Sequence, residues 1–193
     1  MKLVIRALAL VLVGLSSIAG VCQSQTLTRD QEREQLRQIL DGFEKKIETR
    51  MTTFGLLHFR QSEKNPYNFV AIYRWEKNKN VDYFEVVVSS TNDHTIGFRI
   101  YPHYNNTYMN VGKAVDKIAF MRKMLDFSNK NFLFWGTDDG GDVFTGYTFT
   151  LESGIPKEAI EIVLWSLAPL DGFVGQLRPS YDGSQPAPAP AAR

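Results

Sequence analysis

Three aspartates and two glycines lie close together in the stretch FWGTDDGGDVFTGYTF, at residues 134–149. Carboxylates at this density could ligate a cation, share a proton for acid/base chemistry, or close a hairpin. Asp138, Asp139 and Asp142 lack the alternating oxygen positions and the distal glutamate of a calcium loop. Glycines reach positive φ without steric cost and aspartates bond nearby backbone, so the spacing predicts a turn between two strands. Weak cation binding is the alternative.

The three histidines are the next candidates for chemistry. His58, His94 and His103 are far apart in the sequence and fit none of the spacings that bind zinc. A metal or hydrolytic site would have to be assembled from them in space. The pattern favours ordinary surface or hydrogen-bonded histidines, so we predict no metal and no cofactor.

A nucleophile is equally absent from the motifs of the sequence. No G-x-S-x-G framing surrounds a serine, and the glycine-rich stretch is acidic, which would repel a phosphate. Glu44 and Glu48 are paired on a predicted helix, where we interpret them as solvated charges beside the lysines at 45–46. The sequence therefore predicts a protein without enzyme activity.

Aromatic side chains are a more suggestive group, since they make up 12% of the chain. Aromatic residues contribute strongly to protein interfaces, and several follow one another on the predicted strands. One interpretation is core and sheet surface; the other is a sheet face or groove that binds a peptide or another subunit. The candidate partner-binding residues are Tyr67, Tyr73, Trp75, Tyr101, Tyr104 and Tyr108.

The N-terminus has the layout of a secretory signal peptide. Lys2 and Arg6 precede an apolar run and then small residues, which predicts a signal peptide over residues 1–22 and a periplasmic or secreted protein. Such a run is short for a bilayer span, so no stable span is expected after cleavage. Cys22 is the only cysteine; a lipid anchor there is disfavoured, because Val21 stands where lipoproteins carry Gly or Ala.

The charge balance excludes an obvious polyanion partner. The chain has 22 basic and 21 acidic residues, and loss of Lys2 and Arg6 would leave 20 basic ones. No run of five like charges occurs, so neither a nucleic-acid site nor an anionic-membrane patch has support from composition.

Periodicity divides the remaining chain into helices and strands. The pattern predicts an α+β domain over 28–181 in the order α-β-β-β-β-α-β-β-α, with an antiparallel twisted sheet of about five to six strands and helices packed on it. A disordered Pro/Ala tail is expected over 182–193. The sequence expectation for the second helix is residues 111–127, with an inner stripe of Val115, Ile118, Met121, Met124 and Leu125.

Two further helix patterns complete the expectation. Thr28 and Gln31 form a capping box at the start of the first helix, ahead of apolar residues at helical spacing. The predicted inner face of that helix is Leu36, Ile39, Leu40, Phe43 and Ile47. A third helix begins near Pro156, and Pro169 is expected to end it.

Residues 110–175 resemble the bacterial YbjN-like family of proposed sensory transduction regulators. The resemblance is carried by residues 129–134, the acidic turn at 138–142, and the segments FTLESGI and AIEIVLWSL. That family is similar in fold to type III secretion chaperones, whose domains commonly dimerise and bind extended protein segments. The resemblance implies no catalytic residue and no cofactor. The family is mostly cytoplasmic, and the export signal is a departure from it.

These observations favour an exported, non-enzymatic binding or regulatory module that recognises a protein partner or a second copy through its sheet. The first alternative is a small-ligand-binding protein or hydrolase with a pocket between helices and sheet. The second alternative is a structural envelope protein anchored through Cys22.

Overall fold

The structure, a computed structural model, describes residues 27–50, 54–152 and 154–184. The predicted signal peptide at 1–22, including Cys22, and the predicted tail beyond Ser184 lie outside the described residues. The signal peptide and the tail therefore stay predictions.

The described residues form helices and strands in the order helix, five strands, helix, two strands and two helices. In chain order these elements are α1 (Arg29–Arg50), β1 (Phe59–Gln61), β2 (Asn68–Tyr73), β3 (Tyr83–Ser90), β4 (Thr95–Tyr104), β5 (Thr107–Tyr108), α2 (Lys117–Lys130), β6 (Phe134–Thr137), β7 (Val143–Thr150), α3 (Lys157–Trp165) and α4 (Leu167–Tyr181). The predicted α+β class and element order are confirmed. The short strand β5 and the separate helix α4 are additions.

All the strands belong to one antiparallel sheet in the order β1-β2-β3-β4-β7-β6, with β5 paired to the end of β4. The first four strands form the predicted meander, because short connections let each strand pair with the next. β4 then pairs with β7, and the β6–β7 hairpin completes the sheet. β1 and β6 are therefore its edge strands.

Helix α1 forms as the sequence predicts. The N–H of Gln31 donates to Thr28 Oγ1 at 3.3 Å, and the N–H of Thr28 donates to Gln31 Oε1 at 2.8 Å, which completes the capping box. Its apolar stripe faces the sheet, with the partly buried Ile39 beside four buried residues: Leu36, Leu40, Phe43 and Ile47.

Helix α2 begins later than predicted. Asp116 ends the preceding loop, and its side chain accepts a hydrogen bond from the N–H of Ala119 at 2.9 Å, so it caps the helix. Residues 111–113 form a separate 3-10 turn instead of the first helical turn.

The predicted inner stripe of α2 is wrong except for Met124. The buried residues are Phe120, Met124 and Phe127, spaced by four and three. The helix thus carries two apolar stripes, and burying two phenylalanine rings removes more apolar surface from water than burying aliphatic side chains does. The other stripe stays in solvent, with exposed fractions of 69%, 63%, 45% and 67% for Val115, Ile118, Met121 and Leu125.

The sequence predicted that Pro169 ends the third helix, and this prediction is wrong. The helical region is interrupted at Ser166, between α3 and α4. Pro169 lies in the first turn of α4, where a backbone N–H has no intrahelical acceptor, so its missing N–H costs no hydrogen bond. Among the described residues no single helix is long and apolar enough to cross a membrane; α3 and α4 pass that test only as a pair bent by 44°.

The acidic stretch is the turn of the β6–β7 hairpin, as predicted. Asp138 Oδ1 accepts hydrogen bonds from the N–H groups of Gly140 (3.0 Å) and Asp142 (2.9 Å). Gly141 has a φ of +80°, which glycine adopts without strain. Asn110 ties the turn to the rest of the domain, because its amide donates to Asp142 Oδ1 at 2.7 Å. The Asp138 carboxylate thus bonds the backbone of the turn, and the Asp142 carboxylate fastens the turn to Asn110.

We expect Gly141→Ala to lower the free energy of unfolding by about 1–2 kcal/mol, because an alanine at positive φ is strained. Gly140→Ala is the matched control, since Gly140 is not at positive φ and an added Cβ would meet carboxylate oxygens of Asp138 at 3.3 Å and Asp142 at 3.9 Å. Urea denaturation of both variants measures the difference. Equal losses would contradict this account of the turn.

The burial of α2 gives a second stability prediction. Phe120→Ala is expected to cost about 3–5 kcal/mol, because it opens a cavity in the core. Ile118→Ala should change the free energy of unfolding by no more than about 0.5 kcal/mol, because Ile118 is exposed. Chemical denaturation measures both; the reverse order would show that the other stripe faces the core.

Candidate functional site: the outer face of the sheet

The two faces of the sheet differ in what covers them. Buried and partly exposed residues alternate along β2 and β3, because successive side chains of a strand point to opposite faces. The buried set packs with side chains of α1, α2, α3 and α4 in one core. The alternate residues form what we call the outer face, and no described helix packs on it.

Six aromatic rings form a continuous row across this outer face, which we call the aromatic row. In order of contact its members are Phe134, Phe144, Tyr101, Tyr108, His103 and Tyr83, with centroid separations of 5.7, 5.6, 5.6, 4.1 and 4.2 Å. These strands come together only in the folded sheet, where Tyr83 lies opposite His103 on β3 and β4. Edge-to-face and tilted contacts of this kind stabilise aromatic pairs beyond their burial.

His103 occupies an unusual position in the row. Its ring lies between those of Tyr83 and Tyr108, it is only 5% exposed, and neither ring nitrogen has a hydrogen-bond partner among the described residues. Glu85 Oε2 lies 3.8 Å from His103 Nε2. Burial lowers the pKa of His103, against the opposing effect of nearby carboxylates, so the neutral ring is favoured. The carboxylates are those of Glu85, Asp82 and Asp142.

Charged groups accompany the rings. The Arg99 guanidinium lies 4.9 Å from the centroid of Phe144, and that of Arg74 lies 4.9 Å from Tyr83. Tyr108 donates its hydroxyl proton to Glu85 at 2.9 Å, and burial together with this carboxylate raises the tyrosine pKa. The outer face thus offers apolar ring surface beside two cations and one carboxylate. That combination can bind both apolar and charged side chains.

The structure separates the six aromatic residues that the sequence selected. Tyr101 and Tyr108 lie at the centre of the aromatic row. Tyr73 is fully buried on the inner face, where burial raises its pKa to about 12, so this residue belongs to the core and not to a binding surface. Trp75 packs partly buried against the same core.

The remaining two predicted aromatics lie away from the row. Tyr67 is covered by the Arg29 guanidinium, 3.6 Å from its ring centroid, and so lies beside α1. Tyr104 donates to Asp182 at 2.7 Å and contacts the ring of Tyr181, which places it against the end of α4.

Four members of the row were not on the sequence-based list: Phe134, Phe144, His103 and Tyr83. The two-residue period does place Tyr101 and His103 on one face of β4. The period cannot say that helices cover the opposite face, and it cannot show that β6 and β7 bring their rings to the same side.

The histidines are far apart, as their sequence positions suggested. His94 and His103 flank or end the ten-residue strand β4, so roughly 30 Å of extended chain separates them. His58 precedes β1, on the far side of β2 and β3 from β4. The described residues contain no group of three or more side chains that could hold a metal ion.

Glu44 is not a solvated charge, which corrects the sequence-based interpretation. Its side chain is 10% exposed, and its carboxylate lies 2.7 Å from Nδ1 of His58 while accepting the N–H of Phe59. A buried carboxylate of this kind must have partners, and α1 finds them on the β1 segment. His58 itself is 76% exposed and lies in no deep cleft, so the pair attaches α1 to the sheet.

Comparisons with known proteins add little to this geometry. No known protein family and no curated sequence matches the chain. A chain in the crystal structure of the ExsC-ExsE complex is similar in structure, with a TM-score of 0.39 and 13% identity over 79% of this chain and 98% of that one. A TM-score this low supports no conclusion about fold or function. The resemblance to the YbjN-like family stays a prediction.

The neutral, buried His103 predicts a pH dependence of stability. In the folded protein the pKa of His103 is lowered from about 6.5, so as the pH falls the unfolded chain takes up a proton at this histidine before the folded protein does. The neutral ring therefore contributes to the free energy of unfolding above about pH 6.5, and this contribution is lost as the pH falls. We expect His103→Phe, which keeps a ring between the two tyrosines, to lose less stability than the wild type between about pH 7 and pH 5.

Denaturation midpoints at several pH values test this expectation, and an NMR titration of the His103 ring gives its folded pKa directly. The same pH slope in both proteins would contradict it.

Proposed function

We propose that this protein is an exported, non-enzymatic binding module that holds an extended segment of a protein partner on the outer face of its sheet. The observation that carries the proposal is the aromatic row. Its rings lie on a face that no described helix covers, and they come from five strands, β3 to β7. The part of each ring that is still exposed to water becomes buried only when a binding partner covers the row.

The chemistry of the face fits a polypeptide. Rings provide large contact area at little conformational cost, while Arg99 and Glu85 can orient charged or polar groups of a bound segment. The edge strand β6 carries Phe134, but the backbone N–H and C=O of the next residue, Trp135, are already hydrogen-bonded to the Ser128 hydroxyl of α2. A bound segment would therefore lie across the rings and not extend the sheet at β6.

A second copy of the chain is the other form of this proposal. The aromatic row of one copy would then contact the aromatic row of the other across a twofold axis. Export rests on the signal-peptide pattern at residues 1–22, and membership of the YbjN-like family rests on residues 110–175; both belong to the proposal. The hydrolase and small-ligand alternatives receive no support from the described histidines, which lie apart from one another and outside any deep cleft.

The test is a selection of binding peptides from a random display library, followed by calorimetry with a selected peptide. Tyr101→Ala should raise the dissociation constant of the selected peptide about thirtyfold, the effect of removing an aromatic residue that dominates an interface. Tyr67→Ala is the matched control, because it removes a tyrosine that lies beside α1 and outside the aromatic row.

Analytical ultracentrifugation of the same proteins tests the second form. Self-association that Tyr101→Ala abolishes and Tyr67→Ala preserves would identify the partner as another copy. A monomer that selects no peptide, or one whose peptide binding is equally sensitive to both substitutions, would overturn the proposal.

A further inference from the structure

The exposed stripe of α2 forms an apolar surface separate from the aromatic row. We call it the α2 ridge and define it as Val115, Ile118, Met121 and Leu125. All four are at least 45% exposed. The last three recur at spacings of three and four, so they lie along one side of the helix. From Ile118 to Leu125 the ridge extends about 10 Å along α2 at the rise of an α-helix, and Val115 lies in the loop just before the helix.

Positive charge flanks this ridge on both sides. At 100° per residue, Lys117 and Arg122 lie about 70° to either side of the line through the ridge. Both are exposed, and neither forms an ion pair with another described residue. Asp116 caps the helix, and Asp126, which lies four residues after Arg122 on the same side of α2, is paired with Lys130 at 2.8 Å.

The region is also the positive part of a chain that is otherwise acidic. Residues 113–130 contain five basic and two acidic side chains, whereas the rest of the chain between 27 and 184 contains 14 basic and 19 acidic ones. The near-neutral total hides this asymmetry, which composition and charge runs cannot reveal. An isologous contact between two ridges would bring two positive regions together, which disfavours a second copy as the occupant.

We propose that the α2 ridge binds the surface of a membrane that contains anionic lipids. A helix with an apolar stripe between flanking lysine and arginine residues lies in the plane of the interface, with the stripe among the acyl chains and the cations at the headgroups. Protein interfaces are depleted in lysine but enriched in arginine and methionine, so residue types alone do not choose the partner; the placement of cations on both sides of an apolar stripe favours the membrane. This proposal does not depend on the function proposed for the outer face.

The experiment places an environment-sensitive fluorophore on the ridge. The chain from Gln23 onward, which lacks the predicted signal peptide with its own apolar run and cations, carries Leu125→Cys as its single cysteine. It is labelled there and mixed with vesicles of phosphatidylcholine alone or with an equal part of phosphatidylglycerol. We expect a blue shift with the anionic vesicles only, reversed by high salt because screening weakens attraction to the surface. A label at Lys64→Cys, an exposed position near β1, should not respond.

Two sets of substitutions in the labelled chain separate the contributions. Lys117→Gln with Arg122→Gln should weaken vesicle binding about 25-fold, from about fivefold for each charge. Arg60→Gln with Lys64→Gln removes the same charge elsewhere on the surface and should leave binding unchanged. Ile118→Gln with Met121→Gln should also weaken binding, whereas the denaturation midpoint should stay the same because these residues are exposed.

Equal responses to neutral and anionic vesicles would overturn the proposal, as would equal effects of the two charge pairs. A blue-shifted label before any lipid is added would also overturn it, because a protein segment or a second copy would then cover the ridge.

Discussion

The structure depends on a sheet that is covered on one side. All described helices contribute to a single core on the inner face, so each strand must send its apolar residues there at every second position. The α1 helix is held against this face by its own apolar stripe and by two carboxylates. Glu44 meets His58, and Glu32 lies 2.7 Å from His94 Nδ1, so buried charges on the helix find partners on the sheet.

The uncovered face follows from the same constraint. The solvent face of an antiparallel sheet is commonly polar, but here it carries rings that shield one another. Phe144 is only 6% exposed although none of the described helices lies over it, since the neighbouring rings and Arg99 surround it. His103 is buried in the same way between two tyrosines. A face of this kind is stable in water and still presents ring surface, which suits reversible binding.

Helix α2 shows how the edge of such a sheet acquires a second surface. It packs on β6 through Phe127 and Trp135, and on α4 through Phe127 and Phe173. The same helix needs one apolar stripe for the core and carries another that the edge position leaves in solvent. The two exposed surfaces differ in chemistry, rings with mixed charges on the sheet and aliphatic residues with cations on the helix, so different partners are expected for them.

The sequence by itself determined the features that depend on neighbours along the chain. The capping box of α1, its apolar stripe, the strand meander and the β6–β7 turn were all predictable, because hydrogen bonds and periodicity over a few residues decide them. Tertiary structure decided the rest. It selected Phe120 over Ile118 for the core, buried Tyr73 and Glu44, and brought Tyr101, His103 and Phe144 together. A pattern gives the period of a strand or helix, but only packing decides which face meets the core.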